Sequence, residues 1–134
     1  MPQEDKVKRM IDQIGLALAR LFQRLLGTPY DPAEMAAEFP VLFKKELDIE
    51  LDKLLLMDND EALELLVNGK RFSADNLREL GNVLYELAKI TRDESRRHDL
   101  HRKVCGLFTF VKANSNATVY FDVEMKIKEL GCAE

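Results

Sequence analysis

The N-terminal part of this chain carries apolar residues at intervals that alternate between four and three. Such spacing places the apolar side chains on one side of an α-helix, so we expect an amphipathic helix that needs an apolar partner surface. Similar leucine-rich stripes recur further along the chain, which predicts an all-α fold in which these stripes pack together. The stripes are Val7, Ile11, Ile14, Leu18, Leu21 and Leu25; Leu77, Leu80, Leu84, Leu87 and Ala88; and Leu100, Val104, Leu107, Phe108 and Val111.

Composition limits the class of protein. A length of 134 residues suits one domain, so we expect residues 1–134 to fold together. Hydrophobic residues make up 46% of the chain and charged residues 33%, a balance typical of globular proteins. The net charge of −4 disfavours generic nucleic-acid binding, which requires a cationic surface. No uncharged apolar run approaches the length of a membrane span, so neither nucleic acid nor membrane is an expected partner.

The cysteines and the N-terminus indicate a cytoplasmic protein. Cys105 and Cys132 form no metal-binding or redox spacing, and two cysteines are too few for a disulfide scaffold, so we expect reduced thiols. The N-terminal stripe is interrupted by Asp12, Gln13 and Arg20, which is not the pattern of a signal peptide. Both observations favour the cytoplasm.

Turn-forming residues divide the stripes into five to six predicted helices. Residues 1–57 are expected to form two long helices, and residues 58–134 a short helix, a helical hairpin and a last helix. The predicted spans are 4–26, 32–57, 58–67, a helix that follows Ser73 as its N-cap, and two more helices bounded by turns at 91–93 and 114–116.

Two positions are expected to shape the long helices. Gly27 should end the first helix in the left-handed conformation that glycine adopts without penalty. Pro40 should bend the second helix or split it, because proline lacks the backbone donor. Asp31 or Thr28 is the predicted N-cap of that second helix.

The segment 117–130 fits two patterns. A helix would align Tyr120, Val123, Ile127 and Leu130, whereas strict alternation from Val119 onward is the period of a strand. We favour the helix, because nothing else in the chain offers a strand partner and a lone strand leaves its backbone groups unpaired. The alternative is a strand that pairs with a second copy of the chain.

Two leucine-rich stretches, at residues 3–20 and 61–86, resemble an uncharacterised family of small bacterial, all-helical proteins similar to tetratricopeptide (TPR) repeats. The segment Leu77-x2-Leu80-Gly81-x2-Leu84 matches the first helix of such a repeat, in which a small residue lets the partner helix approach. The small-x3-aromatic pair of the second helix comes late, at Gly106-x3-Phe110. The resemblance implies a fold but no functional residues, since the family has no established activity.

One cluster has the residue types of a metal site. Glu94, His98, His101 and Cys105 follow one another along one side of a predicted helix. These are possible Zn²⁺ ligands, but three turns of a straight helix spread them too far apart to meet at one ion. At most a pair such as His101 and Cys105 could share a metal, so we predict no catalytic residues, no metal and no cofactor.

Basic residues gather at the start of the same helix. Acidic residues are interleaved with them, which favours a solvated surface with internal ion pairs over a binding site. If the patch binds a partner, Arg96, Arg97 and His101 are the candidate binding residues. The basic residues are Arg92, Arg96, Arg97, Arg102 and Lys103.

The sequence carries no catalytic motif, so we expect no enzyme. The leading hypothesis is a non-enzymatic interaction or structural module with a protein partner, most simply a second copy paired through the seam of the first helix. Leu16 and Phe110, which lie off their helix faces, motivate it. One alternative is a TPR-like adaptor that binds peptides in a groove lined by residues such as Asn82, Tyr85 and Lys89 of the helix after Ser73. The other is a small metal- or ligand-dependent enzyme at His98, His101 and Cys105.

Overall fold

The structure, a computed structural model, describes residues 2–27, 29–114 and 120–132 and is all-helical over them, as the sequence predicts. These residues form seven α-helices rather than five to six, because the predicted helix 32–57 is divided. The helices are α1 (Pro2–Leu26), α2 (Pro32–Leu47), α3 (Leu51–Leu56), α4 (Asn59–Leu63) with a π-helical turn (Glu64–Gly69), α5 (Ala74–Ile90), α6 (Glu94–Asn114) and α7 (Phe121–Leu130).

α1 buries its seam inside its own chain. Leu18, Leu21 and Leu25 are buried in the hydrophobic core, where α1 packs against α5 and α2. Leu16 is 60% exposed, as expected for a residue off the seam. The side chain of Val7 lies outside the described residues. The buried part of the seam is therefore not available for the predicted pairing with a second copy.

α5 is the central helix, packed against α1 on one side and α6 on another. Ser73 caps it as predicted: Ser73 Oγ accepts a hydrogen bond from the Asn76 N–H, and Asn76 Oδ1 accepts one from the Ser73 N–H, both at 3.1 Å. α6 approaches closely at Gly81, where a Cβ atom would lie 2.3 Å from the Phe108 ring. All five residues of the predicted α5 stripe, and all five of the α6 stripe, are buried.

The break in the second predicted helix falls at Asp48, not at Pro40. α2 runs through Pro40 without interruption and ends at Asp48, whose φ of 56° is left-handed. The Asp48 N–H donates to the Lys44 carbonyl at 2.9 Å, and Lys70 Nζ donates to the Asp48 carbonyl at 3.0 Å. Lys44 and Lys70 also lower the pKa of the Asp48 carboxyl. These contacts stabilise the left-handed end of α2 at Asp48, where the predicted helix divides.

The ends of the other N-terminal helices match the predictions in part. Asp31 caps α2, accepting from the Ala33 N–H at 2.8 Å, while Thr28 lies outside the described residues. Gly27 ends α1 but does not have a positive φ, so the predicted left-handed cap is wrong. Glycine is required there for space, because a Cβ would lie 2.6 Å from the Gln23 carbonyl oxygen.

The last described segment is helical. α7 buries Val123 and Ile127 and ends at Gly131, which has a left-handed φ of 64°. This confirms the helix over the strand for residues 121–130, while residues 117–119 lie outside the described residues. α7 packs against α6, and its polar side chains reach α5.

A buried carboxylate at the contact between α1 and α5 predicts a pH-dependent stability. Glu79 Oε2 is buried without a hydrogen-bond partner among the described residues. It lies close to Gly15 of α1, since a Cβ atom added to Gly15 would be 3.7 Å from it. Burial, and then Asp75, raise the pKa of Glu79 above 4.5, against Arg78 and Asn76. Since the folded-state pKa is the higher one, this group favours the fold at acidic pH and the benefit is lost as the pH rises through that pKa.

We therefore expect Glu79→Gln to stabilise the protein at neutral pH by up to about 1 kcal/mol, after allowance for solvent screening. It should also remove the fall in stability that Glu79 causes as the pH rises from about 4.5 through its folded-state pKa, measured by urea denaturation at a series of pH values. Glu38→Gln, on the exposed side of α2, is the matched control and should leave the curve unchanged. A variant at Glu79 whose curve follows that of the native protein would contradict this account.

Candidate functional site

A groove of about 660 Å³ follows α6 between α4 and the C-terminal end of α7. Its size falls in the range of ligand-binding clefts. Apolar lining comes from Leu63, Phe110 and Leu130, and Phe110 is half-buried against the core rather than free. Two histidines, His98 and His101, also line the groove. This is the place where the predicted histidine stripe meets other elements of the chain.

The two cysteines meet in this groove. Cys105 and Cys132 form a disulfide with a Cα–Cα distance of 5.4 Å, so the prediction of reduced thiols is wrong. The bond joins α6 to the residue that follows the end of α7, 27 positions later in the sequence. No local spacing marks such a pair, because only the packing of α7 on α6 brings the two residues together.

The disulfide changes what the predicted metal stripe can do. His98, His101 and Cys105 line the groove together, whereas Glu94 is not among its lining residues. While bonded, the Cys105 sulfur is no thiolate and so can act neither as metal ligand nor as nucleophile. In the described part of the chain, no three His, Cys, Asp or Glu side chains are close enough to hold a metal ion.

The surroundings of His101 disfavour its charged form. Burial is the main effect that lowers its pKa, followed by the positive charge of Arg97 and by His98, with Glu129 acting in the opposite direction. A neutral imidazole at neutral pH is a poor site for anions. This side chain therefore contributes little charge to the groove.

The candidate binding residues of the basic patch have structural partners. Arg96 forms an ion pair with Asp52 of α3 at 2.7 Å. The Arg97 guanidinium donates two hydrogen bonds, at 3.0 and 2.6 Å, to the carbonyl of Thr91 at the end of α5. These contacts tie α6 to its neighbours and cap a helix terminus. Neither arginine is a free anion-binding group.

Two of the remaining basic residues, Arg102 and Lys103, point in different directions. Arg102 pairs with Asp99 one turn away at 3.4 Å, on the surface. Lys103 points the other way and is only 2% exposed, with no hydrogen bond to Nζ among the described residues. The basic patch of the sequence is thus not one surface in the structure.

The α5 face predicted to line a peptide groove is covered by α7. Asn82 donates to Asp122 at 3.3 Å and accepts from Lys126 at 2.6 Å. The Tyr85 hydroxyl donates to Glu129 at 2.5 Å. Lys89, the third residue of the predicted groove, lies 4.9 Å from the centre of the Tyr85 ring instead. A peptide could reach this face only if α7 left it.

The outer face of α7 presents apolar side chains to solvent. Phe121 and Met125 lie one turn apart and are 73% and 69% exposed. Glu124 and Lys128 are exposed beside them and have no ion-pair partner among the described residues. Sequence reasoning missed this face because it followed only the apolar residues that face inward. The signal was the spacing of Phe121 and Met125, off the stripe of Val123.

No protein-family model, curated protein or solved structure is significantly similar to this chain. The resemblance to small TPR-like proteins therefore stays a prediction. Of the helices formed by the described residues, none has both the length and the apolar character that crossing a bilayer requires. The described residues form an all-helical fold in which a disulfide joins α6 to the residue after the end of α7.

Proposed function

We propose that this protein is a non-enzymatic interaction module that pairs with a second copy of itself through the outer face of α7. The observation that carries the proposal is the pair of exposed side chains, Phe121 and Met125, on successive turns of one helix. Burying each one fully is worth about 1.5–3 kcal/mol, so a surface that leaves both in water favours association.

The charges beside this pair favour a second copy as the partner. Glu124 and Lys128 are spaced by one turn on the same exposed side as Met125. When two copies of such a helix pack antiparallel about a two-fold axis, Glu124 of each copy faces Lys128 of the other, and the two Met125 side chains meet near the axis. An interface of this kind is self-complementary, as two-fold symmetry requires.

The inner face of α7 supports the proposal because it fixes the helix in place. Val123 and Ile127 are buried, Arg78 of α5 pairs with Asp122 at 3.0 Å, and Cys132 is bonded to α6. A helix held at both ends presents its outer face with little loss of entropy on binding. The same attachments keep the face of α5 covered, so this proposal takes precedence over a peptide-binding adaptor.

The test is the mass of the native protein in solution, measured by light scattering over the micromolar range. We expect a concentration-dependent particle of twice 15.4 kDa. Met125→Glu should weaken pairing at least about tenfold, because it places a charge at the apolar centre of the interface. Leu56→Glu is the matched control: Leu56 is 80% exposed on α3, and its substitution should leave the mass unchanged.

Exchanged charges test the geometry. Glu124→Lys should weaken pairing, since two lysines then face each other, and the double variant Glu124→Lys/Lys128→Glu should restore it. A native protein that stays at 15.4 kDa throughout would refute the proposal. A dimer that is lost in Leu56→Glu but survives Met125→Glu would also refute it, because pairing would then use another surface.

The cytoplasm remains the proposed location, and the disulfide adds a condition to it. Reducing compartments keep most protein thiols reduced, so the Cys105–Cys132 bond would exist there in exchange with its dithiol form. Fractionation of native cells with thiol trapping tests this, by giving both the compartment and the oxidised fraction.

A further inference from the structure

The disulfide lies where small molecules can reach it. Cys105 and Cys132 are both half-buried and both line the groove of about 660 Å³ between α4, α6 and the end of α7. Thiol–disulfide exchange requires that an attacking thiolate approach one of the two sulfurs. A bond sealed in the core would be protected from such attack, whereas this one borders an open groove.

Apart from the disulfide, α7 is held mainly by side chains at half-exposed positions. It buries two apolar side chains, Val123 and Ile127, and packs Leu130 partly against the core. Its other described contacts with α5 are hydrogen bonds, an ion pair and a cation–π contact. Hydrogen bonds and ion pairs at half-exposed positions contribute little. A helix of ten residues is also too short to be stable in water on its own. The covalent tie at Cys132 therefore matters more to α7 than to any other helix.

We propose that Cys105 and Cys132 form a reversible redox site that accepts two electrons from a dithiol reductant, and that opening it releases α7 from α5 and α6. This regulation rests on the proposed function, because α7 carries the face that pairs with a second copy. In the oxidised protein the disulfide holds that face in place. In the reduced protein α7 leaves α5 and α6, so the face is no longer a fixed surface.

The chemistry balances without any further reactant. One thiolate of the reductant attacks one sulfur of the protein bond, forming a mixed disulfide and releasing the other cysteine as a thiolate, which takes up a proton. The second thiolate of the reductant then displaces the remaining protein sulfur, which is protonated in turn. The protein S–S bond breaks, the reductant S–S bond forms, and two electrons and two protons reach Cys105 and Cys132.

Release of α7 would also change two tyrosines. The hydrogen bond to Glu129, followed by burial, raises the pKa of Tyr85 to about 12. The hydrogen bond that Tyr120, at the start of α7, donates to Asp75 raises the pKa of Tyr120. If α7 leaves α5, both values should fall toward about 10, the ordinary value for tyrosine. Ultraviolet absorbance of tyrosinate during an alkaline titration measures this directly.

The main test is hydrogen–deuterium exchange of the full chain before and after complete reduction with dithiothreitol. We expect the amides of residues 121–130 to exchange at least about tenfold faster after reduction, while those of buried α5 residues such as Leu80 and Leu84 stay protected. Reoxidation should restore the slow exchange, and the tyrosine titration should follow the same change.

The double variant Cys105→Ser/Cys132→Ser provides the control. It should show the fast α7 exchange of the reduced protein and should ignore dithiothreitol. Unchanged α7 exchange after complete reduction would overturn the inference, and so would slow α7 exchange in the double variant. Loss of protection throughout α5 on reduction would overturn it as well, because the bond would then hold the whole fold rather than α7.

These readouts are made at concentrations below the range of pairing, so they do not depend on the dimer. If the protein never pairs but its α7 amides lose protection on reduction, the proposed function is refuted and the redox site is supported. If the protein pairs equally in both redox states and its α7 amides are protected in both, the proposed function is supported and the redox site is refuted.

Discussion

Gly81→Ala should destabilise the fold by about 2–3 kcal/mol, because a methyl group at this position would clash with the core. The new Cβ would lie 2.3 Å from Cε1 of Phe108 and 2.9 Å from two further atoms of that ring. Phe108 is completely buried, so its ring cannot move aside without displacing the core. Helix propensity works in the opposite direction, but alanine gains only about 1 kcal/mol over glycine. The steric effect therefore wins.

Gly15→Ala is the matched control for this substitution. It also places alanine inside a helix, but the nearest atoms to its Cβ are 3.7 and 3.8 Å away, at ordinary contact distance. Propensity alone should then stabilise the protein by about 0.5–1 kcal/mol. Urea denaturation followed by circular dichroism measures both variants. If Gly81→Ala is as stable as Gly15→Ala, α5 and α6 do not approach each other at Gly81.

A substitution at Phe108 tests whether the cost of Gly81→Ala comes from a steric clash with that ring. Phe108→Leu alone leaves a cavity and should be destabilising. In that background, Gly81→Ala should cost less than it does in the native protein, because the smaller side chain leaves room for the new methyl group. Costs that add without interaction would mean that Phe108 is not the group that the Cβ meets.

The helices and their buried sides follow from local sequence. Leu18 and Leu21 of α1, and the stripes of α5 and α6, are buried where their periodicity places them. The caps at Asp31 and Ser73 are likewise local, since a side-chain oxygen reaches amides two or three residues away. Features that depend on neighbours in sequence were therefore predictable.

Features that depend on residues far apart in the sequence could not be predicted from it. The break at Asp48 is supported by Lys70, which lies 22 residues further along the chain, so Pro40, the stronger local signal for a split, does not mark where the helix divides. The disulfide depends on α7 reaching α6, which no spacing between Cys105 and Cys132 reveals. Both cases show tertiary contacts deciding between alternatives that the local sequence leaves open.

The candidate site was partly predictable for the same reason. The stripe of His98, His101 and Cys105 does face one groove, because residues three and four apart share a side of any helix. The partners of Arg96 and Arg97 come from other elements or from the preceding turn, so their structural roles were hidden. A patch of like charge in sequence does not establish a patch on the surface.

Lys103→Met should stabilise the protein by about 2 kcal/mol, an unusual sign for a core substitution. Lys103 is 2% exposed, and its Nζ has no hydrogen bond to any described residue. Burial is the main effect that lowers its pKa from 10.5, and Arg102 adds to it, while Asp99, Asp58 and Glu61 act in the opposite direction. Methionine fills a similar volume without a charge to desolvate, and the lost attraction to those carboxylates offsets only part of the gain.

The pH dependence gives this prediction a second, independent readout. Because the pKa of Lys103 is lower in the folded state, the unfolded chain binds more protons between that pKa and 10.5. The stability of the native protein should therefore rise with pH across that interval, and Lys103→Met should lose the rise. Lys45→Met, at an exposed position on α2, is the matched control and should change the stability by less than about 0.5 kcal/mol at any pH. Should Lys103→Met prove destabilising, the buried ammonium must be held by the carboxylates of α4 more strongly than burial opposes it.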